Sequence, residues 1–109
     1  MVTAYDFPSG LACTRASMDV ILVGDSLAMV ELGHETTQPA TVDTMLHHCA
    51  AVKRGVDFGA AESPPLLVGD MPFGSYEFED TDVALRNAYR FVKEAGMDAV
   101  KLEVSSSSC

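Results

Sequence analysis

Residues 20–26 read V-I-L-V-G-D-S, and residues 66–70 repeat the pattern as L-L-V-G-D. Each is a short unbroken apolar run that stops at Gly-Asp. A strand with one wet face alternates apolar and polar side chains. A continuous run predicts a strand buried on both faces, the habit of parallel sheets. Two five-residue echoes do not make a repeat protein, but they predict two strands with the same ending. On either side of them, V-T-A-Y-D at 2–6 predicts a strand closed by Pro8 and Gly10, and A-V-K-L-E at 99–103 predicts a fourth.

Between these runs the period changes. Val42, Met45, Leu46, Cys49 and Ala50 recur at one-face helical spacing. Thr41 is the expected N-cap, with Asp43 in the first turn. Lys53 and Arg54 suit the last turn, and Gly55 suits the C-cap. Thr81 predicts the cap of another helix, with Leu85, Ala88, Phe91, Val92 and Ala95 on one face and a stop at Gly96. Residues 9–17 predict a shorter helix. Residues 27–40 hold Gly33, Pro39 and no steady period, so they predict a long loop. Residues 56–64 read as a polar connector and 71–80 as a loop. Residues 1–103 form one unit, and the serine-rich residues 104–109 are expected to be a disordered tail. The order β-α-β-α-β-α-β predicts an α/β fold with a parallel sheet and right-handed crossovers.

The chain has 109 residues, enough for one domain but too few for a closed eight-stranded barrel of about 250 residues. Seven Lys and Arg face sixteen Asp and Glu, a net charge of −9. That balance argues against nucleic acid and against an anionic membrane surface. No apolar stretch approaches the roughly 20 residues of a membrane helix. No basic segment leading into an apolar one follows Met1, so no secretory leader is expected in this chain. Cys13, Cys49 and Cys109 are too scattered for a metal knuckle or redox pair, which suits a reducing intracellular compartment.

Ligands of parallel α/β folds bind beyond the carboxyl ends of the strands. Asp6, Asp25, Asp70 and Glu103 all fall at or beside such ends. Converging carboxylates repel one another unless a cation lies among them, and hard oxygen donors suit Mg²⁺. Lys101 precedes Glu103 by two residues and so shares its strand face. A lysine there can hold a substrate carboxylate or stabilise an enolate oxygen, and the Ser26 hydroxyl can donate to the same anion. Each aspartate equally suits a turn or a helix N-cap, and spacing alone leaves both readings open. His34, His47 and His48 have no metal-ligand spacing and read as solvent or packing residues. Asp80 and Asp82 begin like a calcium loop that Ala84 and Leu85 break. Met29, Met45 and Phe91 read as packing residues, and Cys13 and Cys49 as small apolar ones.

V-T-A-Y-D at 2–6, V-G-D-S-L at 23–27, H-H-C-A-A-V-K-R-G at 47–55, V-G-D-M-P-F-G-S-Y at 68–76 and V-K-L-E at 100–103 occur in one order. Together they resemble the ketopantoate hydroxymethyltransferase family, in wording closest to its eukaryotic, fungal-type members. The resemblance implies the N-terminal half of a (β/α)₈ TIM barrel, with about four parallel strands. It implies transfer of a hydroxymethyl group from 5,10-methylenetetrahydrofolate to 3-methyl-2-oxobutanoate, giving 2-dehydropantoate. Mg²⁺ would be held by Asp25, Asp70 and Glu103, and the 2-oxo acid by Asp25, Ser26, Asp70 and Lys101. The family's base is a glutamate of the second barrel half, so no residue here takes that role. A homo-oligomer, decameric in the family, and a cytoplasmic or mitochondrial-matrix location are also implied. Two departures stand out: Val104 and four serines replace a pair of glycines, and residues 56–64 read as a variant loop. Two other readings remain. One is a receiver-like Mg²⁺-binding signalling domain, and the other is a non-catalytic fragment that associates with the full-length enzyme.

Overall fold

A computed structural model describes residues 1–72, 75 and 81–102. Strands β1 (Val2–Thr3), β2 (Val20–Val23), β3 (Leu66–Asp70) and β4 (Ala99–Lys101) alternate with helices α1 (Phe7–Arg15), α2 (Leu27–Val30), α3 (Val42–Gly59) and α4 (Thr81–Lys93). All strand pairs are parallel, in the order β1-β2-β3-β4. Strand order advances in one direction, so right-handed crossovers put every helix on the same face of the sheet. The fold is α/β, a partial (β/α)₈ barrel. A doubly wound receiver-like sheet, with helices on both faces and a reversal of strand order, is ruled out.

The two sheet faces differ as this geometry requires. Ile21, Val23, Leu67 and Gly69 face the helices and are buried with Met45, Cys49, Val52, Val56 and Phe91. Register places Thr3, Leu22, Val68 and Ala99 together on the other face. There Leu22, Val68 and Ala99 are only half-buried, and Leu66 is 48% exposed.

Several expected boundaries shift, each for a local reason. Asp6 caps α1: its Oδ1 accepts the Ser9 N–H at 2.9 Å while Ser9 Oγ accepts the Asp6 N–H at 3.0 Å. This reciprocal pairing starts the helix at Phe7 and takes Pro8 into its first turn, where a missing N–H costs nothing. Part of the expected loop 27–40 is the single helical turn α2, too short to show a period. Thr41 caps α3 as expected, its Oγ1 accepting the Thr44 N–H at 3.1 Å.

Gly55 does not end α3. A Cβ there would lie 2.8 Å from the Leu11 backbone nitrogen, and one on Gly10 would lie 2.7 Å from the Val52 carbonyl oxygen. These glycines let α1 and α3 touch backbone to backbone. The helix continues through Lys53 and Arg54 to Gly59, and Ala60 closes it in the left-handed region, at φ 49°. Residues 56–59 are therefore helix, not connector. Gly96 ends the α4 region at φ 74° as expected.

Helix α4 buries Phe91 but leaves Leu85 (55%), Tyr89 (65%) and Val92 (48%) exposed. The single apolar face read from its spacing is thus only partly covered. Met29 is exposed rather than packed. Cys13 is half-buried and Cys49 fully buried. Among the described residues, no helix is long and apolar enough to cross a membrane. Glu103, most of the 71–80 loop and the 104–109 tail lie outside the described residues.

Candidate functional site

The ends of β2, β3 and β4 form one rim. Asp70 closes β3, and register sets it beside Lys101 on β4. The Asp70 side chain turns to the face away from the helices, yet the residue is only 6% exposed. Its Oδ2 accepts the Asp25 backbone N–H at 3.1 Å. Its Oδ1 lies 3.7 Å from Lys101 Nζ, a long ion pair with the lysine half open to water. A side chain on Gly24 would come within 3.1 Å of Ser26 Oγ and 3.7 Å of Asp70 Oδ2. The Gly-Asp strand ending therefore has a steric reason, because glycine keeps the rim clear beside the carboxylate.

Ser26 follows Asp25 at the start of α2. Its Oγ lies 2.8 Å from the Tyr5 hydroxyl. Behind Tyr5, His48 Nδ1 donates to the Tyr5 carbonyl at 2.7 Å. A chain of contacts thus runs from α3 through the end of the first strand region to the rim hydroxyl. If the tyrosine hydroxyl donates, the serine proton remains free for an anion in front of it.

Beneath the rim, the Phe91 ring and Cys49 Sγ pack into the space left by the missing Gly69 side chain. Burial, and then the nearby charge of Asp70, push the Cys49 thiol up to about 12. It stays protonated at neutral pH and serves as packing, as its sequence context indicated.

The structure thus brings Asp25, Ser26, Asp70 and Lys101 to one rim. It removes Asp6, whose carboxylate is occupied by Ser9. The Ser9 hydrogen bonds hold the Asp6 carboxyl below its ordinary value, the side-chain bond most strongly. Glu103 lies outside the described residues. Among the described residues, no group of three or more His, Cys, Asp or Glu is arranged to hold a metal. Two aspartates on adjacent strand ends nevertheless match the needs of Mg²⁺, which takes one or two carboxylates and completes its shell with water and substrate oxygens. Asp70 is already oriented by a backbone N–H, so little ordering is needed.

Tyr5 and His48 were not singled out from the sequence as site residues. For Tyr5 a signal existed, since the V-T-A-Y alternation puts Thr3 and Tyr5 on the same inner face. For His48 there was none, because its partner is a backbone carbonyl 43 residues away.

The family profile described as ketopantoate hydroxymethyltransferase matches residues 1–109. Over 108 residues the chain is 53% identical to 3-methyl-2-oxobutanoate hydroxymethyltransferase 1, mitochondrial, of Oryza sativa subsp. japonica, covering 99% of this chain and 28% of that protein. It is 52% identical over 108 residues to the protein of the same name from Arabidopsis thaliana, covering 99% of this chain and 29% of the relative. It is 54% identical over 103 residues to 3-methyl-2-oxobutanoate hydroxymethyltransferase of Moorella thermoacetica, covering 94% of this chain and 36% of that protein. The chain therefore spans about a third of the length of these curated relatives.

Proposed function

Because the chain belongs to the ketopantoate hydroxymethyltransferase family, we propose that it carries the metal- and oxo-acid-binding half of that enzyme's site. The reaction is transfer of a hydroxymethyl group from 5,10-methylenetetrahydrofolate to 3-methyl-2-oxobutanoate, giving 2-dehydropantoate. The observation that supports this reading best is the rim itself. A buried Asp70 is fixed by the Asp25 N–H at 3.1 Å, with Lys101 beside it.

Asp25 and Asp70 are the residues that would hold Mg²⁺, with Glu103 as a further donor. Bound there, Mg²⁺ would draw charge from the keto and carboxylate oxygens of the oxo acid and so acidify its C3 proton. Ser26, backed by the Tyr5 hydroxyl, donates to the substrate carboxylate and fixes its orientation. Lys101, half exposed at the rim, swings its ammonium toward the keto oxygen and stabilises the negative charge that develops there as the C3 proton leaves. The enolate carbon then bonds to the one-carbon unit as that unit's bonds to the folate nitrogens break; water supplies the hydroxyl oxygen and tetrahydrofolate leaves. No residue of this chain is assigned as the base that removes the proton.

In the family reading the base comes from the second half of the same barrel and the intact protein is a homo-oligomer, so these 109 residues taken by themselves are expected to be weak or inactive. The compartment is intracellular, cytoplasmic or mitochondrial matrix; the names of the rice and Arabidopsis relatives carry the word mitochondrial. Deuterium exchange at C3 of 3-methyl-2-oxobutanoate tests the missing base. Exchange by this polypeptide is expected to stay at the level of Mg²⁺ in buffer. Exchange near the rate of a full-length relative would mean that a base lies within these residues.

A further inference from the structure

On the oxo-acid reading of the rim, we propose that His48 is a positioning residue, acting through Tyr5 on the Ser26 hydroxyl. A serine at the start of a helix ordinarily turns its oxygen back to a helix N–H. Ser26 stands at the start of α2 and makes no such bond. Its Oγ lies instead 2.8 Å from the Tyr5 hydroxyl. A serine side chain has three staggered positions, and this contact selects among them. The phenol is the stronger donor of the pair. With its proton given to Ser26 Oγ, the serine proton is left for the substrate carboxylate.

Tyr5 can aim Ser26 only if its own backbone is fixed. Strand β1 ends at Thr3, and the Ala4 N–H still bonds to the Leu22 carbonyl at 2.9 Å. Tyr5 lies past that point, where two side chains hold its peptide groups. The Tyr5 N–H donates to Ser9 Oγ at 3.0 Å, and the Tyr5 carbonyl accepts from His48 Nδ1 at 2.7 Å. Ser9 belongs to α1, and His48 belongs to α3 beside the fully buried Cys49. Tyr5 is thus clamped between two helices that themselves meet backbone to backbone.

Of the two clamps, Ser9 also caps α1, so His48 is the one that can be removed alone. A carbonyl oxygen only accepts, so Nδ1 must carry a proton. An apolar side chain would fill the same space and leave the carbonyl unheld. The donor, rather than the bulk of the ring, is what reaches the rim. A supporting group of this kind sets how well a binding side chain is aimed.

Calorimetric titration of the chain with 3-methyl-2-oxobutanoate in Mg²⁺, with Mg²⁺ affinity measured separately, tests this. His48→Phe should weaken oxo-acid binding about tenfold and leave Mg²⁺ affinity unchanged. Tyr5→Phe should match it. The double variant should bind no worse than Tyr5→Phe alone, because the two residues act in series. His48→Asn returns an N–H near the place of Nδ1 and should recover most of the affinity. A merely structural histidine would weaken metal and oxo acid together and add its loss to that of Tyr5→Phe. Far-UV circular dichroism checks the fold of each variant. Nitrogen NMR of the wild type needs neither variant nor bound molecule, and should find a proton on His48 Nδ1.

A His48 ring protonated only at Nε2 overturns the proposal whatever the rim binds. So do unchanged oxo-acid affinity in His48→Phe, additive losses in the double variant, or a loss that His48→Asn does not recover. Any of these with wild-type binding intact leaves the oxo-acid reading standing. A wild type that binds no oxo acid overturns both.

Discussion

Helix α4 is the more strongly amphipathic of the two long helices, yet it is α3 whose apolar face is the better covered. Helix α3 is held on two sides. Its Met45, Cys49, Val52 and Val56 lie under β2 and β3, while Gly55 lets α1 approach backbone to backbone. Helix α4 is held on one. Phe91 fills the space above Gly69, Arg90 reaches Asp43 of α3 at 2.8 Å across the surface, and Val83, Leu85, Tyr89 and Val92 face water. The difference teaches that an apolar stripe records which side chains a helix is built to bury. Whether a neighbour is there to cover them is a separate matter.

Phe91→Ala should sharpen the contrast most. Phe91 is the only residue of α4 that is fully buried among those described, so truncation should cost about 4 kcal/mol by the usual scale for buried aromatics. A urea midpoint little changed from wild type would mean that α4 is held from its other side after all. Gly55→Ala tests α3. The added methyl would press on the backbone of α1, and overpacking of this kind costs about 2–3 kcal/mol. A neutral outcome in the same unfolding assay would break the close-crossing account and return Gly55 to a cap.

The smallest effect belongs to α1. Asp6→Ala removes the reciprocal cap and should cost about 1 kcal/mol at neutral pH. The Asp6 carboxyl is held below its ordinary value of 3.8. Its contribution is thus present above 3.8 and disappears as pH falls through the lower folded value. The gap between wild type and Asp6→Ala should narrow with acid. A gap that widens instead would show that the carboxylate is not what caps the helix.

Much of this was legible in the sequence. The V-I-L-V and L-L-V runs and the Thr41 cap were readable because their causes are local: side-chain branching, period and a capping hydroxyl. The ends of elements were harder. Gly55 has the sequence signature of a C-cap, and only the approach of α1, some 44 residues earlier, shows that its missing Cβ serves packing. Asp6 fits a strand-end carboxylate and a helix cap equally well in sequence; Ser9 decides for the cap. At the rim, the order of Asp25, Ser26, Asp70 and Lys101 along the strand ends was readable. The alternation of V-T-A-Y could have placed Tyr5 on the inner face, but neither its hydroxyl contact with Ser26 nor the support from His48 through a backbone carbonyl has a motif to announce it.

The account rests on the rim acting as a Mg²⁺-dependent site for a 2-oxo acid, and calorimetric titration of the chain with 3-methyl-2-oxobutanoate tests this most directly. Binding is expected with Mg²⁺ present. It should be lost in EDTA and in Asp70→Ala, with Asp70→Asn retaining the fold by keeping an acceptor for the Asp25 N–H. The account is contradicted if the wild-type chain shows no binding, or if binding is equally strong without Mg²⁺ or without the Asp70 carboxylate.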